Sequence, residues 1–387
     1  MSCRNPTTYN TNPTHTEGAV AADEGEIVAS LRRRLRRWYA RHRRDLPWRH
    51  DRDPYRIWVS EVMLQQTQVA TVIPYFQRFL QAFPTLADLA AADEQDVLRL
   101  WEGLGYYRRA RDLHRAAQQV MAEHNGRFPR DPAQLARLPG MGRYTVAAVL
   151  SQAFDRRLPI VEANTQRVLC RLFGRRDDPR RGPARRWLWQ IAEALLPPRR
   201  GAGEFNQALM ELGALVCTPQ SPRCSACPLK DHCAARRLGL QDQIPARPAP
   251  PEVIEVQEAA AVVRRGGRVL LVRRPANGRW VGLWEFPHGP LRDDETHEEA
   301  AVRLLRELTD IRAEVGPELA TIRHGITRYR ITLVCFEARY RAGDFCSAFY
   351  VEGRWVRPEE LAVYPVSVPQ RRLTRALLAP DRQRRLF

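Results

Sequence analysis

Apolar residues recur at every third or fourth position over much of the first half of the chain. From Asp53 to about Leu215 no segment alternates apolar and polar residues as a half-buried strand does. This spacing therefore predicts an all-helical domain. The helices are expected at residues 27–42, 57–79, 86–100, 108–124, 132–138, 145–154, 164–173, 185–195 and 205–216.

The periodicity changes after a stretch with four prolines at residues 240–251, which is typical of a semi-extended linker. Short strands are then predicted at 258–264 and 268–273, joined by Gly266 and Gly267, with a helix at 297–308 and a strand at 330–338. The sequence thus predicts several domains, an all-α domain followed by an α+β domain. Its expected parts are a disordered tail (1–25), the helical domain (26–236), a linker (237–257) and the α+β domain (258–387).

A tight turn lies within the helical part, at Leu138-Pro-Gly-Met-Gly-Arg-Tyr-Thr145. Gly140 and Gly142 allow the backbone to approach a partner closely. The free N–H groups at the start of the following helix suit a phosphate oxygen. Such a turn is suited to a DNA backbone, although an ordinary connection between two helices has the same composition.

The charge balance strengthens the nucleic-acid interpretation. The 387 residues carry a formal net charge of +18, which favours a polyanionic partner, although an arginine-rich codon usage has the same effect. Lys230 is the only lysine among the 62 basic residues. No apolar run reaches the roughly 20 residues of a membrane span, and no signal-peptide pattern is present. We therefore expect a soluble cytoplasmic monomer, associated with the nucleoid and not with a membrane.

Four of the eight cysteines lie within one short segment, at Cys217, Cys224, Cys227 and Cys233. Clustered cysteines in an intracellular chain indicate a metal site instead of disulfide bonds. Structural zinc sites usually use two close pairs of ligands, whereas this segment has one close pair between two single cysteines. A [4Fe-4S] cluster also takes four thiolates. The spacing alone leaves both metals open.

Taken together, these motifs resemble those of the endonuclease III superfamily of helix-hairpin-helix proteins. The cysteine spacing looks like that superfamily's [4Fe-4S] loop. Three further segments are similar to MutY-type adenine DNA glycosylases: Trp58-Val-Ser-Glu-Val-Met-Leu-Gln-Gln-Thr-Gln-Val69, Trp101-Glu-Gly-Leu-Gly-Tyr-Tyr107 and Phe205-Asn-Gln-Ala-Leu-Met-Glu-Leu-Gly-Ala-Leu-Val-Cys217. The resemblance implies double-stranded DNA as partner and base excision repair, with removal of adenine mispaired with 8-oxoguanine or guanine. It also implies one [4Fe-4S] cluster held by the four cysteines.

The chemistry requires a proton for the leaving purine and negative charge near the sugar. Glu61 lies in an otherwise apolar helix, where a desolvated carboxyl group can hold a proton near neutral pH. By resemblance Glu61 is the acid that protonates adenine and then helps to activate water. Glu162 occupies the position of the family's Asp, with Ala163 in place of Gly, and Asn164 matches the family's Asn. Either Glu162 stabilises the cation as Asp does, or the extra methylene weakens activity.

Tyr144 stands where lyases of the superfamily carry a lysine that forms a Schiff base with the sugar. We therefore predict a monofunctional glycosylase. By resemblance, Gln66 and Tyr106 enter the base stack around the mispair and Leu64 lines the same region, while N–H groups around Gly140 and Gly142 bind phosphates. Without the resemblance, Leu64 and Tyr106 are more typical of a helical core.

The C-terminal part resembles a Nudix box with Gly289, Glu295 and Arg303 in register. Leu304 and Leu308 replace two metal-binding glutamates and leave Glu307, so Nudix pyrophosphate hydrolysis is not expected. This pattern is similar to the 8-oxoguanine-recognition domain of the family. The recognition loop aligns with Ile326-Thr-Arg328, in which Thr327 and Arg328 are the candidate contacts, although an ordinary hairpin turn fits the same residues.

Three hypotheses follow from the sequence. The first is an adenine glycosylase, the second is a lyase or thymine-mismatch glycosylase of the same superfamily, and the third is a DNA-binding protein without catalysis. Tyr144 argues against the lyase, and the Nudix-like segment argues against both forms of the second hypothesis. Glu162 and the altered recognition loop keep the third one open.

Overall fold

The computed structural model describes residues 16–246 and 252–379, with side chains from residue 25 onward. Residues 1–15 of the predicted tail and 247–251 of the predicted linker lie outside the described residues. Within 16–246 every regular element is helical, and the strands begin after residue 252. The predicted order of an all-α part and an α+β part is confirmed, while the predicted domain boundaries stay a prediction.

The helices have the following bounds: α1 Thr16–His42, α2 Pro54–Leu64, α3 Val69–Ala82, α4 Leu86–Ala91, α5 Glu94–Trp101, α6 Arg108–His124, α7 Pro132–Leu135, α8 Arg143–Phe154, α9 Ala163–Phe173, α10 Gly182–Ala194, α11 Ala202–Leu215, α12 Ala234–Arg237, α13 His297–Thr309 and α14 Val368–Leu378. The strands are β1 Ile254–Arg265, β2 Arg268–Arg273, β3 Trp284–Glu285, β4 His288–Pro290, β5 Arg312–Ile326, β6 Tyr329–Ala342 and β7 Glu352–Val356. None of the described helices combines the length and apolar character that crossing a membrane requires.

Two predicted helices are each divided in the structure. The helix predicted at 57–79 ends at Leu64 and restarts at Val69, because Gln66 adopts a left-handed conformation with φ 57°. The helix predicted at 86–100 is interrupted at Ala92 and Asp93. Asp93 caps the second piece by accepting a hydrogen bond from the Gln95 N–H at 2.7 Å. Short polar breaks of this kind leave the apolar periodicity nearly intact.

Helix α1 begins earlier than the sequence predicts. It starts at Thr16, so residues 16–25 of the predicted disordered tail are helical. The sequence of these residues is rich in alanine, which has the highest helix propensity, and in acidic residues, which favour the N-terminal end of a helix. The prediction of disorder for residues 16–25 is therefore wrong, because their polar composition also suits the first turns of a helix.

The described residues form two compact units that do not follow chain order. The first runs up to Ile57 and continues from Gly142 to Pro248. Its core is built by α1 and α9–α12 around side chains such as Leu35, Leu169 and Leu209, and α8 packs against α11. Packing is close where α11 crosses α9, since a Cβ at Gly213 would lie 2.6 Å from the Asn164 Cβ.

One buried carboxylate ties the chain after α1 to α11 within this unit. Glu211 is 1% exposed and accepts hydrogen bonds from Arg44 and Arg49, with Arg44 Nη2 and Arg49 Nη2 at 2.8 and 2.9 Å. Burial alone would raise the pKa of Glu211, but the hydrogen bonds from Arg44 and Arg49 outweigh it and lower the pKa to about 2. The two ion pairs of Glu211 with Arg44 and Arg49 hold the polar segment that precedes α2 against α11.

The second unit comprises Trp58–Met141 and Ala249–Phe387 as far as they are described. Its seven-stranded sheet has the order β3-β2-β1-β6-β5, with β4 paired to β1 and β7 paired to β2. The central β1–β6 pair is parallel, and α13 packs on β1. The helical part of this unit contacts the sheet-bearing part directly: Arg371 binds Glu102 through two hydrogen bonds of 2.6 and 2.7 Å, and Tyr107 donates to the Val366 carbonyl at 3.1 Å.

Candidate active site and nucleic-acid interface

The predicted hairpin turn joins α7 to α8. Gly140 has φ 73°, and a Cβ there would lie 2.9 Å from the Asp112 Cβ, so both conformation and space require glycine. Gly142 is the N-cap residue of α8 and provides no capping side chain. A Cβ placed on Gly142 would have open space around it, with no non-neighbouring atom within 4 Å. The N–H groups that begin α8 therefore lie next to an exposed, open glycine. Tyr144, in the first turn of α8, packs partly buried against Ala147 and Ala148.

Glu61 lies on α2 in the second unit and is 3% exposed. The residues around it on the helix, including Trp58, Val62 and Met63, are buried hydrophobic side chains. The helix therefore places this carboxyl group inside the protein and not on a solvated face.

Glu162 lies in the first unit and caps the N-terminus of α9. Its carboxylate accepts hydrogen bonds from the backbone N–H groups of Asn164 and Thr165, both at 2.8 Å, and from Asn164 Nδ2 at 3.1 Å. The Thr165 hydroxyl completes a capping box by accepting from the Glu162 N–H at 2.8 Å. The sequence predicted a carboxylate beside Asn164, and the structure brings these two residues into direct contact.

Asn164 is held in turn by Arg167, one turn further along α9. Arg167 Nη2 donates to Asn164 Oδ1 and to the Gly213 carbonyl, both at 2.8 Å, while its Nε donates to the Cys217 carbonyl at 2.7 Å. A chain of hydrogen bonds therefore connects the cysteine loop with the Glu162 carboxylate. The sequence analysis did not identify Arg167, since one arginine among so many carries no signal.

The four cysteines lie in the loop between α11 and α12, which contains two short 3-10 turns, Cys224–Ala226 and Lys230–His232. Leu229 and Ala235 anchor this loop in the core of the first unit. Burial raises the pKa of the Cys224 and Cys233 thiols, and it raises that of Cys227 to about 12, with further increases from the neighbouring cysteines. The four thiols thus lie close enough to interact, and a bound metal must displace their protons.

Arg171 borders the same loop from α9. Its Nη1 donates to Cys217 Sγ at 3.4 Å and to the Thr218 carbonyl at 2.7 Å, and Cys233 Sγ donates to the Arg171 carbonyl at 3.4 Å. No group of three or more His, Cys, Asp or Glu residues meets the geometry of a single metal ion among the described residues. A donor set of four thiols beside a guanidinium group fits an iron-sulfur cluster, because a cationic neighbour stabilises thiolate charge.

The residues predicted to enter the DNA stack lie in two loops of the second unit. Gln66 is exposed between α2 and α3, and Tyr106 is 52% exposed just before α6. Both have left-handed backbone, with φ 57° and 48°. Leu64 is half-buried at the end of α2. Tyr106 is therefore a surface residue, not the core residue that its type suggests.

A groove of about 970 Å³ brings the Tyr106 loop together with the predicted recognition loop. Thr327 and Ile326 line it opposite Tyr106, and the arginines of α6 contribute positive charge. The recognition loop is a two-residue hairpin turn between β5 and β6, in which Thr327 has φ 53°. A left-handed conformation is uncommon for a β-branched residue and is typical of functional loops. The neighbouring Arg328 contacts the Tyr329 hydroxyl at 3.4 Å.

The sequence analysis missed Trp280, which lines the same groove with φ 52°. Its ring lies 5.9 Å from the ring of His288 and 6.0 Å from that of His324. Burial alone would lower the pKa of His288, but Glu285 and Glu258 outweigh burial and raise it to about 10. The signal in the sequence was an aromatic residue directly after Asn277-Gly278-Arg279, a turn-forming stretch.

The Nudix box ends in the packed helix α13, which carries Arg303, Leu304 and Glu307. Arg303 binds Glu295 through two contacts of 2.6 Å and Glu307 at 3.1 Å. Leu304 is 6% exposed and packs with Leu308 against the sheet. The two leucines that replace glutamates thus stabilise the core instead of binding a cation.

Three family models match the chain. The model described as HhH-GPD superfamily base excision DNA repair protein matches residues 59–194, that of the NUDIX domain matches 259–376, and that of the iron-sulfur binding domain of endonuclease III matches 217–233. Together with the fold, these matches define a base excision DNA glycosylase of the helix-hairpin-helix superfamily, which acts on N-glycosyl bonds. An iron-sulfur cluster is its cofactor, and a Nudix-like domain follows the helical part.

Two relatives identify the family to which the chain belongs within this superfamily. An adenine DNA glycosylase of Rattus norvegicus is 36% identical over 404 residues, which span 90% of this chain and 78% of the rat protein. One from Mus musculus is 41% identical over 333 residues, with 73% and 64% covered. This chain belongs to the adenine DNA glycosylase family.

Among solved structures, that of a thermostable thymine-DNA glycosylase resembles this chain with a TM-score of 0.50. The two sequences are 29% identical, and the match covers 56% of this chain and 99% of that one.

Proposed function

We propose that this chain is a monofunctional glycosylase that removes adenine mispaired with 8-oxoguanine, or with guanine, from double-stranded DNA and leaves an abasic site. The observation that carries the proposal is the burial of Glu61 on α2, where the residue is 3% exposed. Membership in the adenine DNA glycosylase family supports the choice of base. The burial supports the chemistry, because a positioned carboxyl group shielded from bulk water can exchange a proton with the base that it contacts.

Glu61 protonates the adenine ring, so that the base leaves as a neutral molecule when the N-glycosyl bond breaks. The sugar then carries oxocarbenium character, and the Glu61 carboxylate accepts a proton from the water that adds to the sugar. Glu162 supplies negative charge that stabilises this cation, and Asn164 holds the Glu162 carboxylate in place. The cap of α9 supports this role, because three hydrogen bonds fix the position of the charge.

Tyr144 supports hydrolysis over a lyase reaction. A phenol cannot form a Schiff base, and the sole lysine, Lys230, lies within the cysteine loop with its Nζ 3.4 Å from the Ser225 carbonyl. The base is therefore released, and the abasic sugar stays in an uncut strand. Cys217, Cys224, Cys227 and Cys233 would hold the iron-sulfur cluster, which would cross-link this loop through its thiolates.

Removing a base from a duplex requires flipping it out of the stack. Gln66 and Tyr106 fill the space that the base leaves, since both are exposed on projecting loops. The N–H groups around Gly140 and Gly142 bind the DNA backbone. The groove between Tyr106 and Thr327 receives the 8-oxoguanine of the mispair, and Thr327 and Arg328 make polar contacts with this base. Loss of the Nudix glutamates supports recognition over hydrolysis in this part of the chain.

The proposal is tested with four duplexes that pair adenine or thymine with 8-oxoguanine or guanine. We expect release of adenine and retention of thymine, with faster release opposite 8-oxoguanine. Strand scission should appear only after alkali, and borohydride should trap no covalent adduct. Thymine release would favour the mismatch enzyme, efficient trapping would favour a lyase, and binding without base release would favour a non-catalytic protein. Each of these outcomes contradicts the proposal.

Replacing Glu162 with aspartate tests whether the longer side chain is adapted to its site. We expect Glu162→Asp to release adenine no faster than the wild type. The shorter side chain withdraws the carboxylate by one methylene, and a misplacement of about 1 Å can cost on the order of 100-fold. Single-turnover rates measure this, with Glu193→Asp, an exposed residue of α10, as the control. A much faster Asp variant would mean that Glu162 impairs the enzyme.

A further inference from the structure

Arg109 lies at the start of α6, directly after the Tyr106 loop, and its side chain joins that loop to the Gln66 loop. Nη1 donates to the carbonyls of Val62 and Met63 at 2.9 and 3.0 Å and to that of Gln65. Nη2 donates to the carbonyls of Leu104 and Gly105, both at 3.1 Å. Nη2 also donates to the Thr67 hydroxyl at 3.4 Å, so Nη1 binds the end of α2 and the Gln66 loop, and Nη2 contacts both loops. All of these residues lie within the second compact unit.

The carbonyls that Arg109 binds belong to the end of α2 and to the turn before α6. The last carbonyls of a helix lack partners within that helix, and a cation there is favourable. The guanidinium also lies 5.3 Å from the centre of the Tyr106 ring and 5.5 Å from that of Trp101. Burial lowers its pKa to about 10, which shows how far the group is withdrawn from water while remaining charged at neutral pH.

The two loops need such a link because each contains a strained residue. Gln66 and Tyr106 are not glycines, yet both have a left-handed backbone, which persists only where surrounding contacts enforce it. Neither loop is a regular element that fixes its own conformation. Arg109 supplies hydrogen bonds to the residue before Gln66 and to the residue before Tyr106. A single lysine nitrogen lacks the planar fork that lets one side chain serve both loops.

The geometry points to Arg109 as a positioning residue that fixes Gln66 and Tyr106 in the register needed to fill the stack when the adenine is flipped. This inference rests on the proposed function, since it assigns no chemistry to Arg109 itself. It predicts that loss of Arg109 impairs base flipping and leaves proton transfer by Glu61 intact. The defect should therefore depend on how difficult the base is to flip.

The test compares Arg109→Met on two duplexes that contain the same adenine:8-oxoguanine mispair. In the second duplex the neighbouring base pair is also mismatched, which lowers the cost of unstacking and unpairing. We expect the single-turnover rate of the variant to fall on the order of 100-fold on the first duplex. On the second duplex we expect a loss about tenfold smaller. A variant that is merely misfolded would lose the same factor on both duplexes, and that result would overturn the inference.

Two further variants make the test specific. Arg99→Met removes the same charge from an exposed arginine of α5 that pairs with Asp96, and it should match the wild type on both duplexes. Arg109→Lys retains the charge and guards against failure of the Met variant to fold. It should show an intermediate defect with the same dependence on the duplex. A Lys variant equal to the wild type would show that the bridge is not needed.

A double-mutant cycle gives an independent readout. In a chain that already carries Gln66→Ala and Tyr106→Ala, Arg109→Met should add less than about threefold, because residues that act through one another are not additive. Full additivity would contradict the inference. Failure of the wild type to release adenine from either duplex would instead contradict the proposed function, so that the two failures are distinguishable.

Discussion

Replacement of Glu61 with glutamine is expected to slow adenine release by about 10²- to 10⁴-fold, the usual contribution of a general acid or base. Glutamine has nearly the same shape but cannot donate or accept the proton that the reaction transfers. Glu61 is 3% exposed, so bulk water cannot readily replace its carboxyl group. The measurement is the single-turnover rate at saturating enzyme on an adenine:8-oxoguanine duplex.

The control separates chemistry from binding. Affinity of the Glu61→Gln protein for the same duplex should stay within a few-fold of the wild type, because Glu61 makes no contribution to phosphate binding in this mechanism. Glu123→Gln, a change on the exposed end of α6, should leave both rate and affinity unchanged. A Glu61→Gln rate within tenfold of the wild type would mean that another group supplies the proton.

The second large effect is expected from Cys227→Ser. Serine is a poor ligand for iron, and Cys227 packs partly buried against the core of the first unit. Loss of the cluster should release the loop that Leu229 anchors and lower the free energy of unfolding by more than about 4 kcal/mol, as the loss of a metal site can do. Iron content, the visible absorbance of the cluster and thermal unfolding measure the change.

Cys346→Ser is the matched control, because Cys346 is an exposed cysteine outside the loop. It should retain full iron content and an unchanged unfolding transition. If Cys227→Ser also retained its iron and its stability, the four-cysteine assignment would be wrong at this position. We expect DNA affinity to fall in Cys227→Ser, because the loop loses its fixed conformation when iron is lost. Cys346→Ser should keep both its iron and its DNA affinity.

The sequence predicted best those features that depend on local patterns. Helix α6 has the predicted bounds because its apolar periodicity is unbroken and Asn125 and Gly126 follow it. The cysteine loop likewise depends on short spacings. Features that arise from distant contacts were missed. No glycine or proline marks the break in the helix at Gln66. Arg109, more than forty residues away in the sequence, stabilises this break through hydrogen bonds, so the local sequence does not reveal it.

The same reasoning explains the errors in the α+β part. Strand β5 was not predicted because Gly316 and Pro317 interrupt its alternation, and the structure has register shifts there. The hairpin turn at Thr327 and Arg328, by contrast, is the alternative that the sequence left open for these residues, although they lack the usual Asn-Gly or Asp-Gly pair. Trp280 joins the groove through long-range packing with His288 and His324, which the turn-forming stretch before it does not specify.

The ion pairs of Glu211 with Arg44 and Arg49 link folding of the first unit to proton uptake. Because the pKa falls from an ordinary 4.5 to about 2 on folding, the stability from this group is fully present above pH 4.5. That stability is lost as the pH falls towards 2, when the unfolded chain takes up the proton first. Acid that extracts iron from the cysteine loop therefore also removes a second, metal-independent source of stability. Release of iron by a neutral chelator isolates the contribution of the cluster.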